Sequence, residues 1–184
     1  AGAEVDKTCF GTTPLWVAAE RGRIEVVEVL IKWGANINTT SEGTTILHEN
    51  SRFSRKEVVK LLLENGANVN ARNKEQWCPL HIAVFSNDRY LDMDQETKDR
   101  NQEEVVKLLL DFGADLDANL EGDLSGVQPL HLACMRGRKN LAEILLNAGA
   151  DFKAVDNKGN TPLFFAMSLK FQNCVNLLRE RGAS

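Results

Sequence analysis

The 184-residue sequence predicts an all-α fold, a solenoid of stacked helix-turn-helix units joined by loop or β-hairpin fingers, and three observations carry that prediction. A segment that begins "TPLWVAAERGRIEVVEVLIKWGANIN" at Thr13 returns in altered form from Thr45, Cys78, Gln128 and Thr161. A Gly-Ala pair recurs at Gly2, Gly34, Gly66, Gly113, Gly149 and Gly182, with separations of 32, 32, 47, 36 and 33 residues, so the period is about 33 residues. Ahead of the last five pairs run "EVVEVLI", "EVVKLLL", "EVVKLLL", "LAEILL" and "CVNLL", each placing an apolar stripe on one face at helical spacing.

Each unit can be justified residue by residue. Thr13-Pro14 and Thr161-Pro162 put a hydroxyl at a helix N-cap and a preset φ at the first helical position, and Thr45, Cys78-Pro79 and Gln128-Pro129 hold the same place in the other copies. Small residues follow in the first helix, then a polar turn, then the apolar second helix. Gly34, Gly66, Gly113, Gly149 and Gly182 supply the left-handed residue that ends it. Two short helices with one apolar face cannot stand alone, so neighbouring units must stack into a continuous core.

The start motifs Thr13-Pro14-Leu15, Thr45-Ile46-Leu47-His48, Cys78-Pro79-Leu80-His81, Gln128-Pro129-Leu130-His131 and Thr161-Pro162-Leu163, each closed by Gly-Ala, resemble the ankyrin repeat family over essentially the whole chain. Departures at Trp16, Ile46, Cys78, Gln128 and Phe164 are scattered. The expected repeats are 13–44, 45–77, 78–127, 128–160 and 161–184 in a single domain, with 1–12 as the tail and finger of a preceding repeat. Gly2-Ala3 is in phase with the later pairs and "RGAS" stops where another finger would begin, so a piece of a longer array is expected.

Composition narrows the function. The formal net charge is −4 and the pI about 5.5, with Lys and Arg scattered, so nucleic acid is not an expected partner. No apolar run approaches the roughly 18 residues that a membrane helix needs, and no membrane insertion is expected. Cys9, Cys78, Cys134 and Cys174 are far apart, which predicts neither a zinc site nor a compact disulfide framework and suits an intracellular, cytoplasmic or nuclear setting. His48, His81 and His131 share the fourth place of the start motif, and their expected role is hydrogen bonding between repeats. No Walker loop, G-x-S-x-G or zinc-protease motif occurs, so neither an enzyme nor a cofactor is expected.

The third repeat is longer. From the motif Leu to the closing Gly is 19 residues in four repeats but 33 from Leu80 to Gly113, and the surplus is assigned to a loop at 87–100 between the two helices. Loop entropy makes such an insertion tolerable at a cost on the order of 1 kcal/mol. Within it, "DMDQETKDRNQE" places Asp92, Asp94, Glu96 and Glu103 at the first, third, fifth and twelfth positions of a calcium loop, but the sixth is Thr97 where the turn calls for Gly. The competing assignment gives Asn101 and Glu104 a capping box that opens the second helix, with Glu103 in its first turn and paired to Lys107.

What remains is surface recognition. The family resemblance implies that fingers and the exposed side of the first helices form a concave protein-binding face. Matched by position, the fingers offer Arg72, Lys74, Glu75 and Trp77, then Asn157 and Lys158; the first-helix ends offer Arg52, Phe53, Phe85, Met135 and Arg136. Phe53, Trp77, Phe85 and Met135 are large apolar side chains at positions expected to face solvent, either as interface anchors or packed against a neighbouring loop. "LHENS" puts Glu49 and Asn50 in slots filled elsewhere by apolar and small residues, so either that helix shifts and weakens the stack or both residues are kept for a partner. Two acidic stretches, 88–99 and 115–123, suit a partner with a basic patch. The expected function is a protein-interaction scaffold for a protein or peptide. Its alternatives are an autoregulatory segment of a larger enzyme or channel and a calcium-responsive module.

Overall fold

In the computed structural model, which describes residues 4–86 and 94–183, ten α-helices pair into five units among the described residues. The units are α1 (Pro14–Glu20) with α2 (Ile24–Lys32), α3 (Ile46–Arg52) with α4 (Lys56–Glu64), α5 (Pro79–Phe85) with α6 (Gln95–Asp111), α7 (Pro129–Met135) with α8 (Lys139–Asn147), and α9 (Pro162–Ser168) with α10 (Gln172–Glu180). The first helices stack on one another in chain order, as do the second helices, and the apolar core runs between these two layers. The Gly2-Ala3 pair lies outside the described residues.

The start and stop signals act as their chemistry dictates. Thr13, Thr45 and Thr161 accept the backbone N–H three residues on, capping α1, α3 and α9. Where Cys78 and Gln128 replace Thr, His81 and His131 reach back instead, each Nδ1 accepting the N-cap backbone N–H at 3.2 Å. Gly34, Gly66, Gly113, Gly149 and Gly182 all take positive φ. The alanine N–H that follows each closes on the carbonyl five residues back, as Ala35 does on Leu30 at 3.0 Å. A ladder forms in the finger before the second repeat, where β1 (Thr40–Ser41) pairs antiparallel with β2 (Thr44–Thr45) across Glu42-Gly43, both at positive φ. The fingers at Asn73 and Asp156 use a side chain instead: each Oδ1 accepts two backbone N–H groups, from Glu75 and Trp77 and from Lys158 and Asn160.

The third repeat departs from the loop assigned at 87–100. Residues 87–93 lie outside the described residues, but Gln95–Arg100 are helical and extend α6 to 17 residues. Its N-cap is Asp94, whose carboxylate accepts the Thr97 N–H at 2.9 Å and the Thr97 hydroxyl at 2.7 Å, and not Asn101. Asn101 and Glu103 are therefore interior helical residues. Glu103 accepts from Asn140 Nδ2 at 2.7 Å in place of the expected pair with Lys107. The sister repeats misled because in them the aligned residue, Gly22, Ser54, Gly137 or Lys170, sits at positive φ and breaks the chain before the second helix.

That break has a function the third repeat must replace. After it, the backbone N–H of Arg23, Arg55, Arg138 and Phe171 donates to a first-helix carbonyl, on Ala18, Asn50, Ala133 and Ala166, at 2.9–3.0 Å. In the third repeat the matching position, Gln102, lies inside α6 with its backbone committed. Its buried side-chain amide donates to Ala83 O at 2.7 Å and to Ser86 O at 3.1 Å, restoring the bond that the insertion removed.

The second repeat is regular, so the expected shift of its first helix does not occur. Glu49 is half-buried at the groove surface, and Asn50 is buried with its Nδ2 donating to Ile46 O at 2.9 Å. The strain lies one turn later. Ser54 is 4% exposed at φ 50° with no hydrogen-bond partner for its hydroxyl among the described residues, in the slot where Gly22 and Gly137 stand.

Two stability outcomes follow. Gln102→Leu removes both amide bonds, leaving Ala83 O with only the Ser86 hydroxyl at 3.3 Å, and costs about 1–3 kcal/mol, a clear fall in the urea midpoint. Ser54→Gly relieves the left-handed strain and the orphaned hydroxyl, raising Tm by about 2–4 °C for a gain near 1 kcal/mol; an unchanged or lower Tm would show that the serine backbone is not strained.

Candidate partner-binding groove

The finger before the third repeat and the ends of three first helices enclose a groove of about 520 Å³. Trp77 and Glu75 stand on the finger side, α3 contributes Glu49 and Arg52 with Phe53 just past its end, α5 contributes Ile82 and Phe85, and Arg136 enters from the end of α7. Trp77 and Phe85 meet edge to face with centroids 5.2 Å apart, an arrangement aromatic pairs favour. The Arg136 guanidinium lies 4.7 Å over the Phe85 ring, and Arg55 and Arg52 lie 4.8 Å and 5.5 Å from the Phe53 centroid.

Six of the residues picked from sequence therefore converge: Arg52, Phe53, Glu75, Trp77, Phe85 and Arg136. The other five do not line the groove. Met135 is half-buried against the core, and Lys74 lays its aliphatic stem over Gly43. Arg72 donates to Gln76 O at 2.7 Å and to Asn119 O at 2.9 Å, tying its own finger to the next. Asn157 binds Ser125 of the preceding finger through its backbone N–H and its side chain, and Lys158 is exposed at the tip beside it. Nor do the apolar picks stand clear of the protein, since Phe53, Trp77 and Phe85 are all half-buried. The sequence offers Glu49 either as a misfit or as a residue kept for a partner, and gives no place in the groove to Thr44, Asn73 and Ile82; their aligned places on the exposed side of finger and first helix are the available signal.

Among the described residues the candidate calcium ligands are not brought together. Asp92 lies outside the described residues, Asp94 is committed to Thr97, and Glu96 and Glu103 ride on one helix seven residues apart, about 10 Å of rise. The acidic stretches are also partly used up: Asp99 receives Arg138 at 3.2 Å, and Asp115 accepts the Asp117 N–H at 2.9 Å. The long finger is anchored by buried Leu120 and Val127, leaving Glu121 and Asp123 exposed.

The histidines lie behind this face, buried. Nε2 of His48 is 2.9 Å from Trp77 O, that of His81 2.9 Å from Ala118 O, and that of His131 3.2 Å from both Ala154 O and Asn160 O. A carbonyl only accepts, so Nε2 carries the proton, and Nδ1 is left to accept at the helix start. Burial pushes all three imidazoles below the ordinary 6.5, His81 to about 4. Burial likewise raises the Cys78 thiol, whose Sγ lies 2.9 Å from His81 Nδ1, and so opposes the thiolate that nucleophilic chemistry requires.

Comparison with known proteins reports the same repeat pattern. The family model described as "Ankyrin repeats (3 copies)" matches residues 1–73, 40–93 and 96–184. Over 106 residues the chain is 31% identical to the tyrosine-protein kinase HTK16 of Hydra vulgaris, which covers 58% of this chain and 14% of that protein. It is 42% identical over 60 residues to the E3 ubiquitin-protein ligase KEG of Arabidopsis thaliana (32% of this chain, 4% of the ligase). It is 39% identical over 54 residues to the human transient receptor potential cation channel subfamily A member 1 (29% of this chain, 5% of the channel). The match thus spans only a small part of each relative. Among the described residues no helix is long and apolar enough to cross a membrane.

The buried imidazoles generate a pH outcome. The unfolded chain takes up their protons near pH 6.5 and the folded chain only at lower pH, His81 at about 4, so the free energy of unfolding falls as pH drops from 7 to 5, by up to about 1.4 kcal/mol per pH unit for His81. Urea midpoints across that range, with ¹⁵N shifts of the His81 imidazole at pH 5.5 characteristic of the neutral Nε2–H form, check it. Imidazolium shifts for His81 at that pH in the folded protein would refute it.

Proposed function

The chain belongs to the ankyrin-repeat family, and on that premise we propose that it is a non-catalytic scaffold that captures a protein or peptide in the groove between its second and third repeats. The observation that carries this reading is the convergence of Trp77, Phe85, Phe53, Arg52 and Arg136 on one face. Aromatic and Arg side chains dominate interface energetics, the aromatic rings because they bury large area at low entropic cost and Arg because its planar fork makes several directed hydrogen bonds. A cavity of about 520 Å³ is also within the usual range for a recessed binding site. An intracellular setting fits the unbridged cysteines.

A second reading is that the array regulates a larger protein by binding another part of the same chain. It is supported by relatives named as a kinase, a ligase and a channel, in each of which the matched segment is a small fraction. The groove serves either role; the difference is whether its occupant is a separate molecule.

A photo-crosslinking side chain at Glu49 tests the face directly, with the same group at Glu64, at the end of a second helix, as control. Capture of one defined partner from position 49, its absence from position 64 and its loss on Arg136→Glu are expected. Equal labelling from both positions would place recognition elsewhere.

A further inference from the structure

The charged side chains of the groove are sorted by position. Arg52 closes α3 and Arg136 follows the last residue of α7, so both guanidiniums stand where the first helices end, away from the fingers. Glu75 belongs to the finger, and Glu49 lies three residues back from Arg52 toward the helix start, about 4.5 Å along the axis. The carboxylates thus lie toward the finger and the helix start and the guanidiniums toward the helix ends, and the Trp77–Phe85 pair lines the same groove.

None of these four charges is consumed by another described residue. Neither carboxylate and neither guanidinium makes a side-chain hydrogen bond or ion pair with a described residue, in contrast to Arg72, Asp94 and Asp99 nearby. The guanidinium carbons of Arg52 and Arg136 lie 5.5 Å and 4.7 Å from phenylalanine ring centroids, a cation–π contact that takes up no N–H donor and leaves the guanidinium fork able to match a carboxylate. The four formal charges cancel, so complementarity calls for an ordered pair of charges in the ligand and not for a strongly basic or acidic one.

We infer that the groove takes a mixed-charge peptide segment laid across the first helices, with a cationic side chain at Glu49 and Glu75, an apolar or aromatic side chain against Trp77 and Phe85, and a carboxylate at Arg52 and Arg136. The inference rests on the groove reading proposed above and adds the chemistry and direction of the occupant. It replaces the basic partner expected from the acidic stretches, whose Asp94 and Asp99 are held by Thr97 and Arg138.

Selection of random heptapeptides displayed on phage against the immobilised whole protein tests it, with the Arg52→Glu, Arg136→Glu double variant, shown folded by circular dichroism, as the comparison. Wild type is expected to enrich peptides carrying a Lys or Arg, an apolar residue and an Asp or Glu in a constant order, and the variant to exchange the acid for a base. Arg136→Ala should weaken a synthetic copy of the selected peptide by about fivefold in fluorescence anisotropy, as one exposed ion pair of about 1 kcal/mol implies. Peptides that compete for the groove without charge order overturn this inference and leave the groove reading standing. Peptides indifferent to Glu49, Trp77 and Arg136 substitutions overturn the groove reading itself. Enrichment of nothing above background rejects a short peptide as the occupant.

Discussion

The hydrogen bond from a buried imidazole to a backbone carbonyl of the next finger is the contact on which the rest of the array turns. His48 joins three things in one ring: its Nδ1 pairs with the Thr45 hydroxyl at 2.7 Å, its Nε2 with Trp77 O at 2.9 Å, and its body fills the junction between repeats. Helix start, finger and neighbouring repeat are thereby positioned by a single side chain. His81 and His131 repeat the arrangement at the next two junctions. Because the acceptor at the first of these is the carbonyl of Trp77, the wall of the groove is set by the stacking of the protein and not by the flexibility of a loop.

Much of this was legible in the sequence, for physical reasons that can be named. A helix cap, a proline at the first helical position and a left-handed glycine are local devices, each readable from one or two residues, and they recur with the repeat. The shared place of the three histidines likewise pointed to contacts between repeats. Half of the groove was legible too, since the first-helix ends and the finger bases are fixed by the same register.

What was not legible depends on tertiary competition. The sister repeats argued for a helix start at Asn101, but Asp94 offered an equally good cap seven residues earlier, with Thr97 completing it, and packing of Gln102, Asp99 and Glu103 against neighbouring elements stabilises the longer helix. Arg72 and Asn157 were indistinguishable by position from groove residues; only the three-dimensional path of the neighbouring finger, the next for Arg72 and the preceding for Asn157, shows that their donors are already taken. Glu49 looked like a buried charge because its counterparts are apolar, yet the slot faces the groove, where Val17 is itself 37% exposed.

Gln102 has a wider implication. In the other repeats the two helices are held together by a backbone bond that only a short connection of fixed geometry can make; in the third, a side-chain amide makes it from within the helix. The register of that helix pair is thus independent of the path the chain takes from one helix to the other. An array built in this way can acquire sequence of almost any length at one joint while its spiral stays in phase, so new surface can be added without renegotiating the stack.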